Sequence, residues 1–453
     1  MKPFEQNPRQ HEQFKNYTFD PGKYQLLSKE TARIIALILC GLISSLIYFR
    51  LLLLGDLRPH VPEYLLYFFS LSLLYVLACF ISAQRVSSSA LWVILAFAVV
   101  FRLITVPASP TLSDDIYRYA WEGYLQTRGI NPYISAPDAP ELIGYRNAIW
   151  HLVNNKNVAA IYPPLSQAVN ASVFLVSGSI WGFKLLFLFL DGVVICGILR
   201  LLGLRSQNLS QVVFYAWNPL MVTEIAGSGH HDGLVVALLL WATISCLTNR
   251  PVQSVALLGC AILSKLYPIL MVPFFFKRIA PRHWFWLPLV LALGYTPYIR
   301  AGSHLFTALS YYREKWRFNG FLFGTLTRAL SEGVAERVVV LVILVLVAFA
   351  LFKSADLLKQ QYWLIGGVLL LAPTLFPWYL AWIIPLLCFF PSPAWIVFSV
   401  TSALSYYILI DWWTLGVWRQ NDFFVALQYY PFFVLFFFYR ARSLLSKRSD
   451  CAV

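Results

Sequence analysis

Read by polarity alone, the chain is a succession of apolar runs separated by short polar breaks. The runs cover roughly 34–54, 62–83, 89–106, 163–178, 181–203, 211–227, 233–248, 252–276, 284–300, 335–352, 362–389, 393–410 and 423–439. A helix needs about 20 apolar residues, with a lower limit near 17, to cross a hydrocarbon core ~30 Å thick, and most of these runs reach that range. Backbone groups in lipid must bond to one another, which a helix achieves within a single segment. The pattern therefore predicts an all-α polytopic membrane protein with roughly 11–13 transmembrane helices.

One segment breaks the rhythm. Residues 107–162 are long and of mixed polarity, with Asp114, Asp115, Arg118, Glu122, Arg128, Asp138, Glu141, Arg146, His151 and Lys156 among them. Long loops are uncommon in compact folds and are often functional. The polar residues 1–33 lack the apolar run that follows the basic start of a cleavable signal, so they read as a cytoplasmic N-terminal tail. Three crossings then place 107–162 outside, as a large first extracytoplasmic loop with juxtamembrane helices. The expected organisation is a tail over 1–33, a transmembrane domain over 34–440 with the catalytic loop at 107–162, and a cytoplasmic tail over 441–453.

Composition supports this picture. With 59% hydrophobic and only 12% charged residues, the chain departs from soluble domains, which run near a quarter charged. The net charge of +14 is expected in cytoplasmic loops of a membrane protein. No basic run with interleaved aromatics lies outside the apolar segments, so nucleic acid is not an expected partner. Six of the seven cysteines sit in apolar runs, the seventh is Cys451, and none forms a Cys-x-x-Cys pair. Neither a metal knuckle nor a disulfide framework follows.

Charge also bears on topology. If 163–178 lies in the interface instead of crossing, Arg200, Arg205 and Arg250 face the cytoplasm. Lys277, Arg278, Arg282, Lys353 and Lys359 join them if 252–276 is broken at Pro268 and Pro273. His230, His231, Asp232, Lys265 and the 301–330 loop then share the outer side with the acidic loop.

The chemistry concentrates in a few places. Ser113-Asp114-Asp115-Ile116-Tyr117-Arg118-Tyr119-Ala120-Trp121-Glu122-Gly123 predicts a helix starting near Thr111, with Asp114 at the third position as in a capping box. Asp114 and Arg118, four apart, are spaced to pair, and Asp115, Tyr119 and Glu122 fall on one face. The plain reading is a helix cap with a surface ion pair. The functional one is a carboxylate at the membrane surface, placed to deprotonate an acceptor hydroxyl.

A second cluster runs from Trp217-Asn218-Pro219 through Glu224 to His230-His231-Asp232. Ionisable residues between apolar spans are costly and functional by default, and three roles stay open: metal ligation, bonding to a sugar or phosphate, and turn capping. Lys265 either snorkels to the interface or anchors a phosphate. Tyr311–Gly320, with three cations among aromatics, reads as an interfacial amphipathic helix or as a source of ligand-binding residues. Pro373 and Pro377 open the backbone of a long span just before Tyr379. No Walker loop, dinucleotide fingerprint or zincin motif is present, so ATP-driven work is unsupported.

Ser113–Gly123, followed by Gly129-Ile130-Asn131-Pro132-Tyr133, Ile161-Tyr162-Pro163-Pro164, Trp217-Asn218-Pro219-Leu220 with Glu224 and His231-Asp232, and Phe376-Pro377-Trp378-Tyr379, resembles the polyprenyl-phosphate-dependent glycosyltransferases of the GT-C type, in their bacterial mannosyltransferase-like branch. The resemblance spans roughly 105–385. His231 is a departure, since many relatives carry Asn between the His and the Asp.

The resemblance implies an inverting hexosyltransferase of the plasma membrane, mannose favoured, with its catalytic face extracytoplasmic. Its donor would be a sugar on a polyprenyl phosphate, and its partners the bilayer and a glycan or lipid acceptor. The family base aligns with Asp115, with Asp114 the close alternative. Arg118 and Lys265 are the candidates for the phosphate. Glu122, Tyr162, Glu224, His230, Asp232 and Tyr379 are the remaining substrate-binding candidates. A divalent cation is the one cofactor the motif leaves open. The rival reading, a transporter or flippase of lipid-linked sugars, would need paired charges deep in a central cavity.

Overall fold

The computed structural model describes residues 21–83 and 87–450; the expected tails lie largely outside these at the N-terminus, while the last helix, Asp422–Asp450, runs on through most of the C-terminal one. The described chain is helical throughout, with two isolated bridges joining Phe318 and Asn319 to Thr374 in place of a sheet. Seven described helices are long and apolar enough to span a membrane, or eight if one bent pair is counted as a single span. The other expected crossings are shorter or broken helices packed between them.

Three helices open the bundle: α1 (Pro21–Leu54), α2 (Val61–Ser82) and α3 (Ser88–Thr105). The polar segment after α3 folds into two short helices, α4 (Asp115–Thr127) and α5 (Ala148–Leu152), before α6 (Pro164–Ser177) and the long α7 (Ile180–Leu204). Near its start, α7 presents Lys184, whose Nζ donates to the Val106 carbonyl at 2.9 Å, just past the end of α3. Beyond its far end, Asn208 donates to the Ser82 carbonyl at 3.1 Å, at the end of α2. The helix α7 therefore runs antiparallel to α3, and α6 stays at the end where α3 finishes, as the charge pattern requires.

Two ends of the bundle can then be told apart. At one, Arg205 pairs with Asp356 at 2.7 Å, Lys277 donates to the Leu351 carbonyl at 3.2 Å and Arg278 donates to the Ala355 carbonyl. This is the basic end. At the other lie the loop after α3 and Tyr298, whose hydroxyl donates to Gln126 at 2.8 Å.

Between the ends the chain breaks where sequence places Asn-Pro, Gly and Pro. Asn218 caps the Leu220 amide at 3.0 Å with Pro219 at the first helical position. After α8 (Val213–Ala216) and α9 (Pro219–Met221), a π-helix covers Val222–Ser228. The chain then turns by 116° into α10 (Asp232–Leu247). The next helix, α11 (Pro251–Ser264), stops at Lys265, which is extended (φ −148°, ψ 151°), three residues before Pro268. A third break, residues 372–376, precedes a 3-10 turn over Pro377–Trp382.

Candidate active site

These three breaks meet the N-terminus of α4. The helix begins at Asp115, not near Thr111, and Asp114 sits at its cap without a side-chain capping bond. The Thr111 hydroxyl is engaged elsewhere, accepting from the Leu57 amide at 3.0 Å, and so the capping box does not form. Asp115 Oδ1 accepts from Asn154 Nδ2 at 2.9 Å, and the side chain keeps 23% of its surface open. The carboxyl of Asp114 is raised to about 6, chiefly by burial; the Arg58 charge lowers it and the Asp115 charge raises it further.

Arg118 does not pair with Asp114. Its Nε donates to Glu122 at 2.9 Å. Its two terminal nitrogens donate to the carbonyls of Asn154 at 3.3 Å, Asn155 at 3.2 Å, Val158 and Ala159 at 2.7 Å. A guanidinium carries five N–H groups, and all five have protein acceptors here. The buried Glu122 also accepts from Gln167 at 2.6 Å. Together they pin the far end of the loop against α4 and α6, so the i,i+4 spacing selected the right residue type but the wrong partner.

On the neighbouring turn, Gly229 adopts φ +78°, and a Cβ there would stand 2.8 Å from Ile116 Cδ1, which lets the turn approach α4. Both buried histidines follow. His231 Nε2 lies 2.7 Å from Asn170 Oδ1, and its ring meets Tyr119 edge-on at 4.1 Å. His230 stacks on Trp378 at 4.1 Å and 15°. It stands between two carboxylates, with Nδ1 3.8 Å from Asp115 Oδ2 and Nε2 3.3 Å from Glu224 Oε2. Asp232 Oδ1 accepts from Lys265 Nζ at 2.6 Å and from Trp382 Nε1 at 2.6 Å, while its Oδ2 is left without a partner among the described residues.

Aromatic rings wall this group. Lys265 Nζ lies 4.8 Å from the Tyr379 ring centre, 5.3 Å from that of Trp382 and 5.8 Å from that of Tyr162, all within cation–π range. Trp382 stacks between Tyr267 at 4.1 Å and Tyr379 at 4.9 Å. The Tyr162 hydroxyl is 3.1 Å from that of Tyr119. Burial first, then Tyr119 and the charges of Asp115 and Asp232, hold it well above the ordinary tyrosine range, so it stays a neutral hydrogen-bonding group. Asp115 and Asp232 thus both act on Tyr162.

The structure brings together Asp115, Tyr162, Glu224, His230, Asp232, Lys265 and Tyr379 from separate parts of the chain, while the charge that acts most on Asp114 is that of Arg58. Sequence reasoning gave no role to the groups that hold them, Asn154, Asn170, Trp378, Trp382 and Tyr406, although Trp378 lies in a quoted motif. It also missed a buried pair between spans, in which Arg102 donates to Asp191 and, at 2.7 Å, to the Ala216 carbonyl, while Tyr215 donates to the same carboxylate. Those intramembrane charges were visible as exceptions within apolar runs. Among the described residues no group of three or more His, Cys, Asp or Glu is placed to hold a metal ion.

Residues 45–281 match the family described as alpha-(1->6)-mannopyranosyltransferase, N-terminal domain. No curated protein and no solved structure matches the chain.

Proposed function

Because the chain belongs to the alpha-(1->6)-mannopyranosyltransferase family through that family's N-terminal domain, we propose that this multi-pass membrane protein moves mannose from a polyprenyl-phosphate donor to a hydroxyl of an extracytoplasmic glycan or lipid. The observation that carries the proposal is that Asp115 and the Lys265–Asp232 pair both border the Tyr162 ring. Asp115 is partly open and fixed by Asn154. Lys265 is the cation held on Asp232.

In this reading Asp115 takes the proton as the acceptor oxygen bonds to the anomeric carbon. The carbon–oxygen bond to phosphate breaks, and polyprenyl phosphate leaves with the electron pair. A phosphate needs no protonating acid to depart, so a single carboxylate base suffices, and one-step displacement inverts the centre, as in one-step glycoside hydrolysis. The family's printed linkage is α-(1→6). Inversion to an α product calls for a β-linked donor, and a 6-linkage calls for a primary hydroxyl as acceptor.

Lys265 meets the charge developing on the phosphate, held in place by the buried Asp232. Tyr162 and Tyr379 offer ring faces and hydroxyls. Arg118 and Glu122, with their bonding groups committed to the loop, position it without binding substrate. No step is assigned to a divalent cation. The basic end would face the cytoplasm of the plasma membrane, following the positive-inside bias, and the site would open outside.

The test is transfer of labelled sugar by the purified protein from polyprenyl-phosphate mannose and polyprenyl-phosphate glucose in parallel, with lipid extract as acceptor and a chelator arm. Labelled product from the mannose donor, lowered by ~10²–10⁴ in Asp115→Asn, is expected. Equal transfer by wild type and well-folded Asp115→Asn would remove the base.

A further inference from the structure

The turn that carries His230 holds an arrangement that sugar and phosphate binding leave unexplained. His230 is 1% exposed and Glu224 is 0% exposed, too deep to meet a bulky acceptor or a polyprenyl chain. The imidazole stacks on the Trp378 ring, with Nδ1 3.8 Å and Nε2 3.3 Å from two different carboxylates. Neither nitrogen, nor Glu224 Oε2, has an aligned hydrogen bond among the described residues. The other Glu224 oxygen does, accepting from Tyr406 at 2.6 Å. Glu224 reaches this position from the π-helix, a rare element often found at functional sites. The other charged and titratable groups nearby are His231, with Lys265 beyond it, and the Tyr64 hydroxyl beside Glu224.

We propose that His230, oriented by Glu224, receives the proton that Asp115 removes from the acceptor. The proposal rests on Asp115 being the base. The acceptor O–H bond breaks and its proton goes to Asp115. Asp115 Oδ2 passes it to His230 Nδ1, while Glu224 holds Nε2–H. The ring becomes an imidazolium between two carboxylates, and Asp115 is ionised again. After product leaves, the proton returns through Asp115 to water. The layout follows the logic of a hydroxyl–histidine–carboxylate triad, with the aspartate interposed between the reacting hydroxyl and the ring. The 3.8 Å separation is of the kind that tightens when substrate binds. His230 acts through Asp115 and is a positioning residue; it does not touch the sugar.

The test compares wild type, Asp115→Asn, His230→Ala and Glu224→Gln in nanodiscs, measuring kcat and donor KM against pH. His230→Ala is expected to lose about 100-fold in kcat with KM unchanged, and to flatten the acidic limb of the kcat profile. Added imidazole should restore part of the rate; pyrrole, the same ring without a basic nitrogen, should not. Glu224→Gln should lower kcat less, again with KM unchanged. A raised KM, or equal rescue by pyrrole, would reduce His230 to packing and overturn the relay. Full activity in His230→Ala beside an inactive Asp115→Asn overturns the relay alone, whereas an active Asp115→Asn overturns the base on which it rests.

Discussion

At the scale of single residues, the site holds groups whose preferred states conflict with their surroundings. Asp114 is the clearest. Its folded value near 6, against an ordinary 3.8, means that ionising it costs more in the folded protein than in the unfolded one. Its contribution to stability is thus most favourable at low pH and falls as pH rises from about 4 through about 6. Asp114→Asn removes that cost, so the variant should melt a few degrees above wild type at pH ~8 and level with it near pH ~4, as a thermal scan in detergent would show. Lys265 and Asp232 present the opposite case. Removing the cation alone strands a buried carboxylate, a loss of ~3–5 kcal/mol. Lys265→Met should fold poorly, while Lys265→Met with Asp232→Asn should fold normally and still need about tenfold more donor, measured as KM. Both acidic positions and the lysine were legible in the sequence as charges bordering apolar runs. The pairing was not, because Lys265 and Trp382 reach Asp232 from distant segments.

At the scale of elements, the loop after α3 is built around one cation. Arg118 gathers four carbonyls from 154–159 and the Glu122 carboxylate. Close packing of α4 on α6 depends on Gly123, where a Cβ would sit 2.3 Å from the Asn170 carbonyl oxygen. Arg118→Ala leaves Glu122 buried without its partner and releases the carbonyls. We expect a loss of ~3–5 kcal/mol and early proteolytic cleavage within 128–160, read by limited digestion in nanodiscs. Spacing made α4 recognisable as a helix, but not its start, since the Thr111 hydroxyl bonds to the Leu57 amide across the α1–α2 turn. The breaks at 229–231, at Lys265 and at 372–376 were legible because Gly and Pro mark them. The π-helix was not, for nothing in Val222–Ser228 separates it from an ordinary turn of helix.

For the whole molecule, Arg205, Lys277 and Arg278 gather at one end of the bundle, and the site lies at the other. A cysteine in place of Ser206, beside the basic end, should be labelled by a membrane-impermeant maleimide only in inverted vesicles. One in place of Ser331, next to the Arg317–Glu332 pair, should be labelled in intact spheroplasts. The apolar rhythm announced a helical membrane protein, yet it gave no depth to helices that stop midway, because a broken span and a full one have the same composition. Assembly order follows from where the site's parts lie along the chain. Asp115 comes from α4, Lys265 from the end of α11, and the Tyr379–Trp382 wall from far beyond the family-matched 45–281. While the ribosome is still making the second half, the first half can already be in the membrane, Asp115 and Lys265 included, with no surface to seat a sugar. On the proposed function, a growing chain therefore cannot discharge a lipid-linked donor. Activity begins only once the closing segments have been synthesised and packed.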